Sequence, residues 1–369
     1  MRRVDVLIIG SGPAGVSTAM HLLRLDSSWK ERMLLIEKAA HPRPKLCGGA
    51  VTHMGLEVLR KLGIHYPLPI PGAEVDDVRL VYRERTIHFC QQPVFVVYHR
   101  PELDACLAAE ARDRGADLNE NETVLDLKFG SGGVEVNTTR DIYRARIVVG
   151  ADGSKGPTRR LVNPPGAKSR VARLLEVACP ANEIPPHFIG RYALFEFSSV
   201  VEALQGYFWE FPSWVGTCPT LNCGVYDARL ASRRSRADLP RLLANGLSNL
   251  DPSPTPAQVQ GHPIHWFSPR SVFAAPRLLL VGDAAGSDPL FGEGIAPALG
   301  YGRLAAEMIQ DAFRLRDFSF RSYRRRLFLS DVGRYLLMRW YVAWWSYHFS
   351  WSPAFMRALW IVGGWAAAS

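Results

Sequence analysis

Val4-Asp5-Val6-Leu7-Ile8-Ile9-Gly10-Ser11-Gly12-Pro13-Ala14-Gly15 reads as a short buried strand that runs into a glycine loop and then into a helix. The spacing is Gly-x-Gly-x-x-Gly. Gly10 permits a tight turn, Gly12 lets the chain approach a pyrophosphate, and Gly15 lets helix and strand pack closely. Pro13 and Ala14 open a helix expected to run to Leu25, and its N-terminus presents unpaired N–H groups and a partial positive charge to an anion. A second apolar run, Met33 to Ile36, ends in Glu37-Lys38, about 20 residues beyond the last glycine, where a carboxylate can accept hydrogen bonds from a ribose. Together these features set an α/β dinucleotide-binding unit at the amino terminus.

Far along the chain, Val281-Gly282-Asp283-Ala284-Ala285-Gly286-Ser287-Asp288-Pro289-Leu290-Phe291-Gly292-Glu293-Gly294-Ile295 shows an acidic turn after an apolar run, then a small-residue loop entering a helix. This pattern suits a flavin. Asp283 would accept from ribityl hydroxyls, and Gly292 and Gly294, flanked by Pro289 and Ile295, would bring backbone N–H groups to the pyrimidine edge of the ring. FAD is the expected cofactor.

Composition bounds the remaining possibilities. A chain of 369 residues with 47% apolar content can bury a large core, and its length suggests two or three lobes. The six cysteines (47, 90, 106, 179, 218 and 223) form no Cys-x-x-Cys pair, so neither a disulfide framework nor a zinc site is indicated. His262 and His265 lack nearby cysteine or carboxylate partners, and no metal is assigned. A reducing cytoplasm fits, because Val6 to Ile9 feeds the glycine loop and is no signal peptide. The net charge of +9, part of it in Arg321-Ser322-Tyr323-Arg324-Arg325-Arg326, suits phosphates, an anionic membrane surface or an acidic carrier, and no nucleic acid is expected.

The nucleotide motifs are scattered, so the cofactor domain is expected to be discontinuous, over 1–75, 98–160 and 270–315. Residues 76–97, with hairpin-like alternation over Val78 to Val97, and 161–269 are then insertions forming a substrate domain. The second insertion carries β-like runs at Ala193 to Phe197, Gly206 to Phe211 and Thr220 to Val225, and a helical stretch at Leu239 to Leu250. An antiparallel sheet around an apolar cavity is the expectation. Pro252, Pro254 and Pro256 mark a loop before the return.

The remainder, 316–369, reads as a helical, tryptophan-rich segment. Six of the ten tryptophans lie between Trp340 and Ser369, where Arg357 is the one formally charged residue. His348 and Pro353 interrupt the run, which falls short of the about 20 apolar residues a spanning helix needs. The segment suits a membrane interface, or a cap on an apolar channel, or packing against the protein itself.

A third motif, Val148-Val149-Gly150-Ala151-Asp152-Gly153-Ser154-Lys155-Gly156-Pro157-Thr158-Arg159-Arg160, ends an apolar strand in Gly-Ala-Asp-Gly before a basic turn. With all three motifs in this order, the chain resembles the FAD-dependent para-hydroxybenzoate hydroxylase and geranylgeranyl reductase superfamily over about residues 1–315. That resemblance implies an α/β fold (α+β overall) with a Rossmann-like FAD-binding domain, an inserted antiparallel sheet and a C-terminal helical segment. It also implies that Asp152 and Gly153 serve both the flavin and transient NAD(P)H, and that Arg100 lies beside the flavin.

Within the superfamily, Lys45-Leu46-Cys47-Gly48-Gly49 and Tyr207-Phe208-Trp209-Glu210-Phe211-Pro212 resemble motifs of the geranylgeranyl reductase branch. The Trp-x-Trp-x-Ile-Pro pattern of the flavin halogenases is absent. The preferred expectation is reduction of carbon–carbon double bonds in a prenyl or other lipid-like substrate. A monooxygenase of an apolar or carrier-bound aromatic, and a membrane-surface protein retaining FAD without catalysis, remain open.

An isolated alkene accepts hydride only if the reduced flavin is aligned with one carbon while a proton reaches the other, so the site must be apolar and hold one acid. Cys47 is the nominated acid, close to the ring through Gly48 and Gly49. Tyr207, Trp209 and Phe211 are expected to line the cavity. Glu293 is expected to shape its loop, and His53 and His99 are weaker candidates for a relay. With no second Gly-x-Gly-x-x-Gly, electrons are expected from a transiently bound NAD(P)H or from a ferredoxin-type donor.

Overall fold

The computed structural model describes residues 1–163, 171–231, 235–248, 250 and 258–368. The apolar half of Arg2–Ile9 (β1) is fully buried because parallel partners flank it on both sides. The parallel strands stand in the order Leu278–Leu280 (β16), Ile142–Gly150 (β9), β1, Met33–Ile36 (β2), Leu118–Asn119 (β6), and Ala274–Ala275 (β15) adds an antiparallel edge. Val124–Gly130 (β7) and Gly133–Thr138 (β8) form a hairpin on β9. Continuous runs such as Leu34-Leu35-Ile36 are what a sheet covered on both faces demands.

Pro13–Leu25 (α1) follows the glycine loop and packs on Ile295–Leu315 (α7), where the Ser17 hydroxyl donates to the Leu299 carbonyl at 2.7 Å. Gly15 is required there: a Cβ would lie 1.9 Å from the Gly10 carbonyl oxygen. His53–Lys61 (α2) and Arg100–Asp113 (α3) complete the helical cover of this core, whose buried members include Val6, Ile8, Leu22, Leu103 and Leu304.

The second sheet has the order Gln260–His265 (β14), Val171–Pro180 (β10), Cys218–Asp227 (β13), Gly206–Val215 (β12), Tyr192–Glu196 (β11), Gly72–Tyr82 (β4), Arg85–Tyr98 (β5), Ala50–Thr52 (β3). All its pairs are antiparallel except β11 with β4. The sheet therefore takes β3 and the start of β4 from within the first 75 residues, because the chain crosses to it directly after the Cys47 segment. Thr158–Val162 (α4) and Pro186–Ile189 (α5) are short connectors, and Leu239–Leu247 (α6) covers one face with Leu242 and Leu243. The proline loop expected at 252–256 lies outside the described residues.

Tyr323–Leu329 (α8), Asp331–Phe349 (α9) and Pro353–Ala368 (α10) close the chain. Ala343, Tyr347, Met356 and Trp360 bury themselves against the aromatic face of the second sheet, and the Trp360 indole donates to the Leu80 carbonyl at 3.0 Å. Part of the tryptophan-rich segment is thus core. Among the described residues no helix is long and apolar enough to cross a membrane.

Candidate active site

The register of the parallel sheet brings the three motifs and Glu37 together. Ile9 pairs with Ile36 and with Gly150, and Gly150 pairs with Leu280, so Gly10, Glu37, Asp152 and Asp283 all follow the carboxyl ends of adjacent strands. That edge is where open α/β sheets bind ligands.

Glu37 is buried there, and one of its oxygens accepts from the Ser11 backbone N–H at 3.0 Å and from its hydroxyl at 3.3 Å. Arg43 lies between Glu37 and Asp104, at 3.5 and 3.4 Å. Its Nε is buried without a hydrogen-bond partner among the described residues. A Cβ on Gly12 would meet only the Arg43 guanidinium, at 3.5 Å, and one on Gly153 would meet nothing within 4 Å. A guanidinium with an unfilled hydrogen-bond donor beside an open helix N-terminus fits the pyrophosphate of a dinucleotide. Asp283 accepts from the Ser154 hydroxyl at 3.4 Å and lies 3.3 Å from where a Gly294 Cβ would stand, on the same open side.

Asp152 is engaged within its own turn. Both its oxygens accept from Thr158, from the backbone N–H at 2.9 Å and the hydroxyl at 2.5 Å, and burial holds its carboxyl above the usual range. These bonds fix the turn into α4, and the backbone of Gly153 beside it is open. The Lys38 side chain is exposed.

Arg100 is buried at the start of α3 and forks onto Asp104 with two 3.0 Å bonds. Burial opposes its charge, but Asp104 and then Cys47 hold the guanidinium above its ordinary value. Cys47 is half-buried and near the Arg100 guanidinium, and the Gly49 N–H donates to its Sγ at 3.5 Å. The Cys47 segment rests directly on β12: a Cβ on Gly48 would lie 3.1 Å from the Phe211 ring and 3.7 Å from the Trp209 indole nitrogen.

Tyr207, Trp209 and Phe211 are buried and stack into one aromatic wall with Phe195, Phe197 and Phe291. The loop after Asp288 is held from that wall. Tyr226, Tyr347 and Tyr207 donate in turn to the carbonyls of Pro289, Leu290 and Phe291, at 3.1, 2.5 and 2.5 Å. Burial keeps all three phenols well above their usual range, so each stays protonated as a donor. Gly292 takes φ +68° and faces the Tyr226 ring, and Ile295 is buried at the start of α7.

Beneath the loop, Arg339 of α9 meets fully buried Asp288 at 2.9 Å and Glu293 at 3.7 Å. Glu293 also accepts from Thr52 at 2.6 Å and from Tyr335, and burial raises its pKa. Its contacts fit a loop-shaping part. His53 is exposed, and His99 bonds Glu102 at the head of α3, so neither reaches Cys47 through a bond seen here.

Several residues escaped the sequence reading. Glu176 accepts from Asn222 at 2.9 Å, and Asn222 accepts from the Trp209 indole at 2.8 Å. Burial raises Glu176 and lowers Lys45, whose amine lies 3.3 Å from His262. A carboxylate inside the apolar run Leu174-Leu175-Glu176-Val177, and Arg43 and Lys45 just before Cys47, were the available signals. The tyrosine clamp and Arg339 had none, because their partners are backbone carbonyls and residues distant in sequence.

Comparison with known proteins agrees with this fold. The FAD binding domain family matches residues 3–298, and the chain belongs to that family. It is an FAD-dependent oxidoreductase resembling the geranylgeranyl reductases, within the superfamily inferred from sequence. Digeranylgeranylglycerophospholipid reductase of Thermoplasma acidophilum is 26% identical over 343 residues, covering 86% of this chain and 81% of that one. Menaquinone reductase of Mycolicibacterium smegmatis is 28% identical over 353 residues, covering 83% and 76%. In fold, the chain matches a geranylgeranyl bacteriochlorophyll reductase-like protein of Thermoplasma acidophilum with a TM-score of 0.81 at 24% identity, over 99% of this chain and 92% of that one. It also matches the halogenase PltM, with a TM-score of 0.72 at 18% identity, over 94% and 77%.

Proposed function

We propose that this oxidoreductase reduces carbon–carbon double bonds in a prenyl or other lipid-like substrate, with Cys47 as the proton donor. The observation that supports the reading is the close approach of Gly48 to Trp209 and Phe211, with the half-buried thiol of Cys47 on the preceding residue. The relatives named as reductases of a digeranylgeranyl glycerophospholipid and of menaquinone point the same way.

FAD, when bound, supplies the hydride. Gly12, Arg43, Glu37, Gly153 and Asp283 would hold it, with NAD(P)H or a ferredoxin-type protein as the outside source of electrons. Tyr207, Phe211 and Phe291 exclude water and orient a flat, apolar chain against the loop of Gly292 to Gly294. Cys47 protonates the alkene carbon, and the adjacent Arg100 guanidinium offers a counter-charge to the thiolate left behind.

The test is to reduce the FAD-loaded protein without oxygen, add isoprenoid lipids, and follow flavin reoxidation and product mass. Gain of two hydrogens is expected. Turnover that needs oxygen and adds one oxygen atom would instead identify a monooxygenase, and failure of every substrate to reoxidise the flavin would favour a non-catalytic binding protein.

A further inference from the structure

Helices α9 and α10 each have two faces. In α9, Val332, Leu336, Ala343 and Tyr347 point inward, while Arg334, Met338, Tyr341, Val342 and Trp345 stand at helical spacing on the outside and are exposed. In α10, Met356 and Trp360 are buried, while Arg357, Ile361, Val362 and Trp365 are exposed. Trp345, Trp351 in the connection and Trp365 are 55%, 61% and 73% accessible. Large apolar side chains exposed on successive turns of one helix face mark an interaction surface.

We infer that the outer faces of α9 and α10 dock on an anionic lipid bilayer, with Tyr341, Trp345, Trp351 and Trp365 in the headgroup region and Arg357 against lipid phosphate. Three observations select this occupant. Tryptophan and tyrosine, amphipathic and flat, are the side chains that favour a membrane–water interface. No described helix can span, so contact must lie in the membrane plane. The charge has one sign: no Asp or Glu follows Asp331, which already pairs with Arg334 at 2.7 Å. A second copy would therefore bring Arg357 to a face with no acid on α10 to receive it, whereas anionic lipid supplies the complement.

The docking face also lies on the helix that holds the flavin loop. Tyr335, Arg339 and Tyr347 reach Glu293, Asp288 and the Leu290 carbonyl from the opposite side of α9. The inference deepens the lipid-substrate reading by stating where such a substrate is met, but its test contains no substrate, so either can fail alone.

The FAD-loaded chain is floated with vesicles of phosphatidylglycerol and phosphatidylcholine, and with phosphatidylcholine alone. The wild type is expected to float with the anionic vesicles, less so at high salt. Combined Trp345→Ser, Trp351→Ser and Trp365→Ser substitutions are expected to weaken binding about tenfold or more, and Arg357→Glu several-fold, with FAD content and melting temperature retained. Should the triple variant lose FAD, Arg357→Glu alone decides the matter. Vesicle binding unchanged by these substitutions, wild type that stays in solution, or a wild-type dimer that the triple variant converts to monomer would each overturn the inference.

Discussion

At the scale of single residues, Cys47 is chemically exposed to test. Cys47→Ala should lower the single-turnover rate of alkene reduction about 10²–10⁴-fold while FAD still binds, the range expected for loss of a positioned acid; an unchanged rate would remove the thiol from the mechanism. Protonation of buried histidines sets a pH dependence of stability. Burial pushes His21 and His262 from an ordinary 6.5 down to about 4; Arg303 and Arg24 add to the effect at His21, where the Ser17 carbonyl opposes it, and Lys45 adds to it at His262. Between these values the unfolded chain binds more protons than the folded one, so stability falls as pH drops from about 6.5 towards about 4. His21→Gln should flatten that slope in melts recorded across the window, and an equally steep slope would reject His21 as a source of it.

At the scale of elements, α9 serves as a strut of the loop after Asp288. Arg339→Met would leave Asp288 charged, fully buried and facing no cation, a cost of about 3–5 kcal/mol by analogy with other broken buried pairs. The expected results are a lower melting temperature and weaker FAD retention, both measurable on the purified protein. Tyr347→Phe removes one donor from the Leu290 carbonyl and should cost about 1 kcal/mol. If FAD retention were untouched by Arg339→Met, the loop would be self-supporting through the Asp288 bonds to the Leu290 and Phe291 N–H groups.

At the scale of the whole molecule, the tail has two parts to play and they separate experimentally. Truncation after Ser330 would remove Tyr347, Met356 and Trp360 from the core of the second sheet, and large-to-small losses of this kind cost about 2–5 kcal/mol each. Such a truncation should yield misfolded protein, seen as loss of a cooperative melt. Substitution of outward residues alone should leave the melt intact. Sequence periodicity had left membrane contact, channel cap and core packing open for this segment, and the folded chain commits the inward faces of its helices to core packing.

The sequence by itself determined the cofactor unit, because Gly10, Gly12, Gly15, Glu37 and Asp283 answer local needs: a turn, a close approach, a carboxylate at a strand end. Patterns of this kind are written within a few residues of where they act. The runs at 193–197, 206–211 and 220–225 likewise marked β11, β12 and β13, since alternation and β-branched or aromatic content belong to the strand itself. Only the tertiary structure decided what meets what. It set Gly48 on Phe211, joined β3 to the second sheet, committed Asp152 to Thr158, and placed Arg339 and three tyrosine hydroxyls under one loop. Those pairings depend on strand register and on the burial of charges between distant segments, neither of which leaves a periodic trace in the chain.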